Sequence, residues 1–397
     1  MPSRPRRVAV KLDLDWPYKR HAATFAGLQA YAQAQGWQST VDEYVEDTIA
    51  RDPGSVPYDG IVARATTLLA RRAARLNIPV VNVWASSPAR DRLPGVFPDF
   101  PATGRLRAEH LLSRGLQRFG ALTADRDRGQ DEELAAFART VEAAGFTCAA
   151  ARVALDVSSS LIEWRRTERT IARWMDAWEP PIGVYVGSES QGRIVAQACH
   201  RRGWRVPQDV AIIAGRNEET LCAGLHPTLS SVEAGYERVG AEAARVLDAL
   251  MAGEPPPLKP ILIPPIGLVV RESTDFFAVD DALVAAALRF IAANSHLRIG
   301  QDDVARAVSA ETRTLQRRFR KHLGRAIATE VRRARLERAK RELAQSDRSL
   351  KEIARGVGFG DPVRLCEVFR RELGVTPSQY RRDRQARPPA APDTGPR

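Results

Sequence analysis

Two stretches in the C-terminal part of the chain are copies of one pattern: Asp303-Val304-Ala305-Arg306-Ala307-Val308 and Glu352-Ile353-Ala354-Arg355-Gly356-Val357. In each copy the first alanine, Ala305 or Ala354, is followed by a leucine. A phenylalanine comes four residues after the leucine, and a glycine comes five residues after the phenylalanine. These positions are Leu315, Phe319 and Gly324 in the first copy and Leu365, Phe369 and Gly374 in the second. The leucine comes 10 residues after the alanine in the first copy and 11 in the second, so the spacing is nearly constant.

Each position of the repeat has a physical reason in a helix-turn-helix unit. The small alanine lets a second helix cross closely over the first, and the leucine and phenylalanine, spaced i and i+4, anchor that second helix. The glycine just past its end can adopt the left-handed cap conformation. In the second copy Asp361 and Pro362 are typical of an N-cap and a first helical position. The repeat therefore predicts two helix-turn-helix units, with second helices over 312–322 and 362–373.

The predicted second helices carry side chains suited to reading DNA. Arginine and glutamine hydrogen-bond the edges of guanine and adenine in the major groove, and basic side chains also contact phosphates. A predicted helix over 327–345, about 27 Å long, would hold the two units roughly one DNA turn apart. The candidate DNA-binding residues are Arg313, Thr314, Gln316, Arg317, Arg320, Lys321, Asp361, Arg364, Arg370 and Arg371.

The excess positive charge of the chain lies in the same region. Residues 281–385 contain 24 Lys/Arg and 13 Asp/Glu, whereas residues 1–280 contain 34 of each. Lys and Arg displace condensed counterions from a polyanion, so double-stranded DNA is the expected partner. A merely basic, solvated helical face would also account for the charge. Two helix-turn-helix patterns within the basic segment favour DNA binding.

The N-terminal part alternates short apolar runs with amphipathic stretches. This alternation predicts parallel sheets covered by helices, and the length of the region predicts two α/β lobes. The predicted strands are 8–12, 60–63, 79–83, 119–122, 182–186 and 210–214. The predicted helices are 21–35, 67–76, 102–114, 132–144, 161–178, 190–202 and 236–251. We expect a ligand-sensing domain over 1–275, a linker over 276–282, a DNA-binding domain over 283–385 and a disordered tail over 386–397.

Other sequence features argue against different classes of protein. The four scattered cysteines favour free thiols in a reducing cytoplasm over disulfides or a structural zinc. No apolar run of about 18 residues and no signal-peptide core occur, so a cytoplasmic protein without membrane contact is expected. No phosphate-binding glycine loop, nucleophile elbow or metal-binding histidine spacing occurs, so no enzyme activity, metal or cofactor is expected. A non-specific nucleoid protein would not need a large N-terminal region without net charge. A periplasmic sugar carrier would not need a basic C-terminal region.

Residues 281–385 resemble the DNA-binding domain of the AraC/XylS family of transcription regulators. The residues that carry this resemblance are Ile353-Ala354, Val357-Gly358-Phe359, Phe369-Arg370-Arg371, Gly374-Val375-Thr376-Pro377 and Tyr380-Arg381. Two residues depart from the family pattern. Glu311 stands where the family usually has a serine cap, and Glu367 stands where the family often has a basic or neutral residue. A carboxylate facing phosphate is repulsive, so the second unit is expected to bind DNA more weakly or with less specificity.

The N-terminal region resembles the periplasmic-binding-protein fold of LacI/GalR-type sensors. The segments that carry this resemblance are His110–Gly115, Val206–Ile213 and His226–Val232. The resemblance implies that a ligand lies between the lobes, at the carboxyl ends of strands. The implied contacts are Asp13, Asp15, Trp16, Tyr18, Arg20, His21, Arg64, Trp84, Asp99, Glu189, Arg216 and Asn217.

The resemblance also implies an effector and an assembly. It implies a small sugar, with a xylose-like pentose as the leading candidate, and a homodimer joined through the N-terminal lobes that activates a sugar-utilisation operon. Activation would add RNA polymerase as a partner, while repression stays an alternative. Arg64 and Arg216 stand where sugar-binding relatives tend to have Asp or neutral residues, which leaves a sugar acid or sugar phosphate open. Internal salt bridges of both arginines are a further alternative.

Overall fold

The computed structural model describes residues 4–15, 18–51, 57–154, 160–279 and 281–384. In these residues the chain forms two α/β lobes followed by a helical domain, which confirms the predicted fold class. The candidate ligand residue Trp16, the predicted disordered tail and one residue of the predicted linker lie outside the described residues.

The first lobe is built on a four-stranded parallel sheet with the order β2-β1-β3-β4. Its strands are β1 (Arg7–Lys11), β2 (Gln38–Val41), β3 (Gly60–Ala63) and β4 (Val80–Asn82), and its first helices are α1 (Lys19–Ala34), α2 (Val45–Thr48) and α3 (Thr67–Arg75). The short strand β5 (Val96–Pro98) leads out of this lobe. The inner strands are continuous apolar runs because helices cover both faces of the sheet.

The second lobe repeats this plan with the strand order β7-β6-β8-β9. Its strands are β6 (Phe119–Ala124), β7 (Cys148–Val153), β8 (Ile182–Val186) and β9 (Val210–Ala214). Its helices are α4 (Phe100–Ser113), α5 (Arg128–Ala143), α6 (Leu161–Asp176), α7 (Glu189–Arg201) and α8 (Glu219–Ala223).

The chain crosses between the lobes three times. It enters the second lobe after β5, and after β10 (Ser231–Glu233) it returns to form α9 (Tyr236–Met251) and β11 (Ile261–Ile263) of the first lobe. It then crosses back through β12 (Gly267–Val269), which pairs with β10. Helix α9 packs directly on α1 because Gly27 and Gly240 lie at the crossing, where a methyl group would overlap the backbone of the other helix.

The helical domain consists of seven helices within the described residues. They are α10 (Ala282–Asn294), α11 (Gln301–Ala307), α12 (Thr312–Leu323), α13 (Ile327–Gln345), α14 (Leu350–Gly356), α15 (Pro362–Leu373) and α16 (Pro377–Arg384). Asp281 caps α10 by accepting hydrogen bonds from the backbone N–H groups of Leu283 and Val284, and it also pairs with Arg318 at 2.8 Å.

The segment between the sensor and the helical domain is packed on both. Ser273 is fully buried, and its hydroxyl donates to the carbonyl oxygen of Ile212 at 2.6 Å. Phe276 packs on the core of the second lobe, whereas Phe277 belongs to the core of the helical domain. The guanidinium of Arg114 lies 4.7 Å from the Phe277 ring. The described part of the predicted linker therefore joins the two cores.

Several strands and helix starts differ from those predicted from the sequence, for identifiable reasons. Strands β2 and β7 were not predicted because they are exposed edge strands rich in polar residues or alanine, without an apolar run. Helices α4 and α5 begin earlier than predicted, at Phe100 and Arg128, because Asp99 and Asp127 cap them. An N-cap carboxylate that accepts a backbone N–H bond adds a turn ahead of the amphipathic pattern.

Candidate DNA-binding surface and effector cleft

The repeat forms two helix-turn-helix units, α11–α12 and α14–α15. The anchoring side chains Leu315, Phe319, Leu365 and Phe369 are fully buried, as their spacing predicts. The glycines after α12 and α15 have φ values of 66° and 72°, so both helices end in a left-handed cap. Each second helix is therefore fixed by one buried face and leaves the opposite face to solvent.

Helix α13 is a structural element common to both units. Ile327 and Val331, near its start, are buried in the core of the first unit. Leu336, Ala339 and Leu343, further along, are buried in the core of the second. A helix of 19 residues is about 28 Å long, so it sets the separation of the two reading helices.

The candidate DNA-binding residues of α12 differ in exposure. Arg313, Arg317, Arg320 and Lys321 are exposed. Thr314 and Gln316 are half-buried, and both hydrogen-bond within the protein, Thr314 to Glu311 at 3.3 Å and Gln316 to Gln301 at 2.5 Å. The four basic side chains are therefore the more available readers of this helix. Glu311, at the N-cap position, makes no capping hydrogen bond with its side chain.

The candidates on α15 also divide into two groups. Arg364, Arg370 and Arg371 are exposed, and Arg371 pairs with Glu372 at 2.9 Å. Asp361 has a structural role, because its carboxylate accepts the backbone N–H of Val363 at 2.9 Å and caps the helix. Its assignment as a DNA contact stays a prediction.

The sequence reasoning missed one exposed residue of α15. The side chain of Val363 is 61% exposed although it is apolar, and it lies at the start of the helix beside Arg364. Methyl groups in such positions contact the methyl group of thymine in the major groove. The sequence could have pointed to this residue, because Val363 is apolar yet lies on the helix face opposite the buried side chains Leu365 and Phe369.

A cavity of about 130 Å³ lies between the two lobes of the sensor. Five residues predicted from the resemblance line it: Arg20, His21, Arg64, Trp84 and Arg216. The structure thus brings together side chains that come from α1 and from the ends of β3, β4 and β9.

Ion pairing and burial set the electrostatics of the first-lobe wall. The guanidinium of Arg64 pairs with Asp13 at 2.9 Å and lies 4.8 Å from the Trp84 ring. Burial, and then the charge of Arg20, lower the pKa of Arg64. Burial, followed by the charges of Arg20 and Arg64, lowers the pKa of His21 to about 4, so this imidazole is neutral near pH 7.

Arg216, on the second-lobe wall, belongs to a buried charged network. Its guanidinium pairs with Glu133 at 2.9 Å, and Glu133 also accepts the Tyr185 hydroxyl at 2.6 Å and lies 3.6 Å from Arg107. Burial works against the charge of Arg216, but Glu133 raises the pKa of Arg216 well above its usual value. Arg64 and Arg216, which the sequence analysis proposed as ligand contacts, therefore each pair with a carboxylate of the protein itself.

The other candidate ligand residues lie outside the cavity lining. Asp99 caps α4 by accepting the backbone N–H of Ala102, and buried Glu189 accepts the backbone N–H groups of Arg216 and Glu218. Asn217 bonds Glu233, Ser231 and Arg271, and Asp15 is exposed. The structure gives Asp99, Glu189 and Asn217 structural roles, and ligand contact by these residues stays a prediction.

Several lining residues were not predicted from the sequence. They are polar or aromatic and lie at strand ends or helix starts: Ser86, Phe100, Arg126, Asp127 and Tyr236. Arg126 and Asp127 follow β6, so the rule that selected Arg64 would have found them had the end of β6 been placed correctly.

Hydrogen bonds between the lobes border the cavity. The backbone N–H of Lys19 donates to Glu218 at 2.8 Å, and its ammonium group donates to Glu233 at 2.7 Å. The hydroxyl of Ser86 accepts the backbone N–H of Arg128 at 3.0 Å. The lobes are thus in direct polar contact beside the cavity.

The described residues contain no group of three or more His, Cys, Asp or Glu side chains placed to hold a metal ion. None of their helices is long and apolar enough to cross a membrane.

Comparison with known proteins agrees with this architecture. Residues 108–274 match the periplasmic binding protein-like domain family, and residues 304–383 match a helix-turn-helix domain family. The chain is therefore a DNA-binding transcription regulator in which a periplasmic-binding-protein-like domain precedes an AraC-type helix-turn-helix domain.

Two curated relatives and one solved structure align with nearly the whole chain. Over 382 residues the chain is 25% identical to the xylose operon regulatory protein of Escherichia coli K12, covering 94% of this chain and 96% of that protein. The corresponding protein of Haemophilus influenzae is 26% identical over 389 residues, covering 94% of this chain and 98% of that protein. The fold matches that of a xylose-binding transcription activator with a TM-score of 0.59 and 24% identity, covering 96% of this chain and 99% of that one. These relatives are operon regulatory proteins and a transcription activator.

Proposed function

We propose that this protein is a transcription regulator whose binding to operator DNA is controlled by a small sugar-derived effector in the cleft between the lobes. The observation that carries this proposal is the position of helix α4. Phe100, at its start, lines the cavity, whereas Ser113 and Arg114, at its end, contact the DNA-binding domain. One rigid element thus touches both functional regions.

Helix α4 is held firmly along its length. It has 14 residues, which corresponds to about 21 Å. Near its middle, the fully buried Arg107 donates to the carbonyl oxygen of Gly215 at 2.5 Å, beside the cavity residue Arg216. Further along, His110 bonds Thr274 of the connecting segment at 2.8 Å. A shift of the cleft wall that moves α4 would therefore move the attachment of the DNA-binding domain.

The DNA-binding half of the proposal rests on the two exposed basic faces. Helices α12 and α15 carry exposed arginines, and α13 fixes their separation. Arginine forms bidentate hydrogen bonds with guanine and also pairs with phosphates. We expect α12 to be the main reader, because α15 also exposes Glu367, a carboxylate that phosphate repels.

The likeness to xylose operon regulatory proteins supports a sugar effector and an activating role. A neutral pentose such as xylose is the effector that this likeness favours, and RNA polymerase is the partner that activation requires. We further propose a cytoplasmic homodimer joined through the first lobes. Val41, Tyr44 and Leu68 of the first lobe are exposed apolar side chains available for such an interface. Sedimentation of the full chain as a monomer at micromolar concentration, with and without effector, would remove the dimer.

Quantitative footprinting tests the proposed function. The full chain is titrated onto the DNA upstream of its own gene and of neighbouring operons, without ligand and with a panel of sugars, sugar acids and sugar phosphates. We expect a discrete footprint whose midpoint shifts with one of these ligands. Transcription from the same template, with RNA polymerase, distinguishes activation from repression. Binding that is equal on all DNA, or that no ligand changes, would overturn the proposal.

A further inference from the structure

Four arginines line the cavity, two from each lobe. Arg20, in α1, and Arg64, after β3, belong to the first lobe. Arg126, after β6, and Arg216, after β9, belong to the second. Guanidinium groups thus lie on both walls of a space of about 130 Å³, which is the scale of a small molecule.

Carboxylates are scarce in the described lining of the cavity. Among the described lining residues, Asp127 is the one carboxylate, and its two oxygens accept the backbone and side-chain N–H groups of Gln130, each at 3.1 Å. Behind the lining, Asp13 pairs with Arg64, the charge of Glu43 acts on the same guanidinium, and Glu133 is shared between Arg216 and Arg107. The described lining itself therefore presents four guanidinium groups and one carboxylate to a ligand.

The guanidinium groups of the lining can only donate hydrogen bonds. A guanidinium has five N–H donors and no acceptor. The hydroxyl oxygen of Ser86 already accepts the backbone N–H of Arg128. A neutral pentose has a hydroxyl proton to donate at nearly every carbon, so it needs acceptors from the site. A carboxylate or phosphate group consists of acceptors, and it matches the guanidinium fork in a bidentate arrangement.

The local electrostatics are consistent with this clustering of guanidinium groups. After burial, the charges of Arg20 and Arg64 are the next causes that hold His21 neutral, and Arg20 also opposes the charge on Arg64. The charges of Arg20 and Arg64 thus oppose each other on the first-lobe wall, while Asp13 partly offsets them. A negative charge in the cavity would lower the energy of every one of these groups.

We propose that the effector is an anion, a small sugar acid or sugar phosphate, whose carboxylate or phosphate group lies between the arginine pairs of the two lobes. This inference rests on the proposed function of the cleft as the effector site. It also explains how effector binding would favour closure of the two lobes. Like charges on facing walls repel, and an anion between them replaces repulsion by attraction on both sides.

Arg126 and Arg20 provide the test variants. Arg126 is exposed and forms no ion pair with another described residue, so Arg126→Gln removes a charge with little structural risk. Arg20→Gln removes one from the opposite wall. Arg128→Gln is the matched control, because Arg128 lies two residues from Arg126, pairs with Glu132 at 3.5 Å and does not line the cavity.

The experiment measures ligand binding to the full chain by calorimetry and thermal shift. The probes are D-xylose and L-arabinose as neutral sugars, D-xylonate, D-glucuronate and ribose 5-phosphate as anionic ones, and inorganic phosphate alone. We expect an anionic probe to bind more tightly than its neutral counterpart, with affinity that falls as salt rises. Arg126→Gln and Arg20→Gln should each weaken that binding by about tenfold or more, the loss of a charge-assisted hydrogen bond. Arg128→Gln should leave it within about twofold, as for an exposed charge outside the contact.

The outcomes separate this inference from the function on which it rests. Tight binding of a neutral pentose that shifts DNA binding, is insensitive to salt and survives both test variants would overturn the anionic effector and leave the regulator intact. Failure of every probe to bind, with specific DNA binding preserved, would overturn both the anionic effector and the assignment of the cleft.

Discussion

The guanidinium of Arg333, in α13, donates a hydrogen bond to the carbonyl oxygen of Ser113, at the end of α4, over 3.1 Å. The same guanidinium pairs with Glu330 at 3.0 Å, and Glu330 pairs with Arg325 at 2.6 Å. This contact joins the helix that spaces the two DNA readers to the helix whose start lines the effector cleft. It is therefore a direct link between the two halves of the regulator.

Replacement of Arg333 should weaken the effect of effector binding on the affinity for operator DNA. Arg333→Ala removes the bond to Ser113, so we expect the effector-induced change in operator affinity to shrink by about fivefold or more, the scale of a typical coupling energy. Effector binding to the sensor should stay nearly unchanged. Arg289→Ala, at an exposed position of α10, is the control and should retain the full response. Identical responses of both variants would show that the Arg333 contact carries no coupling.

Specific DNA reading should depend on Arg317. We expect Arg317→Ala to weaken operator binding by about 1–3 kcal/mol and to relax preference at one base pair, with a small effect on random DNA. Competition binding at fixed salt measures both effects. Arg318→Ala is the neighbouring control, because Arg318 pairs with Asp281 at the start of α10. Equal losses on operator and random DNA would show that Arg317 contacts phosphate only.

Stability should depend strongly on Glu133. This fully buried carboxylate serves Arg107, Arg216 and Tyr185, so Glu133→Gln leaves the fully buried Arg107 and the mostly buried Arg216 without their anion. We expect a loss of about 3–5 kcal/mol in the free energy of unfolding, measured by urea denaturation. Glu132→Gln breaks half-exposed pairs with Arg90 and Arg128 and should cost about 0–1 kcal/mol. Similar losses in the two variants would contradict the central role of the network.

Acid sensitivity should depend on His21. Burial first, then Arg20 and Arg64, lower its pKa from 6.5 to about 4 in the folded chain. The unfolded chain therefore takes up this proton first as the pH falls, and the folded state loses stability between pH 6.5 and about pH 4. The unfolding free energy of His21→Gln should decline less in this window than that of the wild-type protein. His200→Gln, at an exposed position of α7, should follow the wild-type curve.

Burial determines how much of the fold the sequence could predict. Inner strands such as β8 and β9 are apolar throughout because both faces are covered, and their predicted bounds match the structure. The helix-turn-helix units were predictable because few other folds place buried anchors and cap glycines at these repeated spacings. Edge strands lack that signal, since β2 and β7 leave half or more of their side chains exposed to solvent.

The candidate cleft was predictable only in part. Residues that follow strands gave Arg64, Trp84 and Arg216, but β6 extends to Ala124, two residues past its predicted end, so Arg126 and Asp127 were missed. A carboxylate at a strand end can bind a ligand or cap a helix, and the sequence of one chain does not distinguish the two uses. The Asp99-Phe100-Pro101 sequence did contain a capping signal, since proline favours the first helical turn.

Attachment of the DNA-binding domain to one lobe has a geometric consequence. Phe276, Ala278 and Arg333 join it to the second lobe, and the connecting segment starts after β12, which pairs with β10 of that lobe. In a dimer held by the first lobes, each DNA-binding domain would move together with the second lobe of its own chain. The three chain crossings between the lobes would act as the hinge of this movement. The effector would then set the distance and phase between two half-sites on the double helix. Inserting or deleting base pairs between those half-sites would change the effector response itself, and not only the affinity.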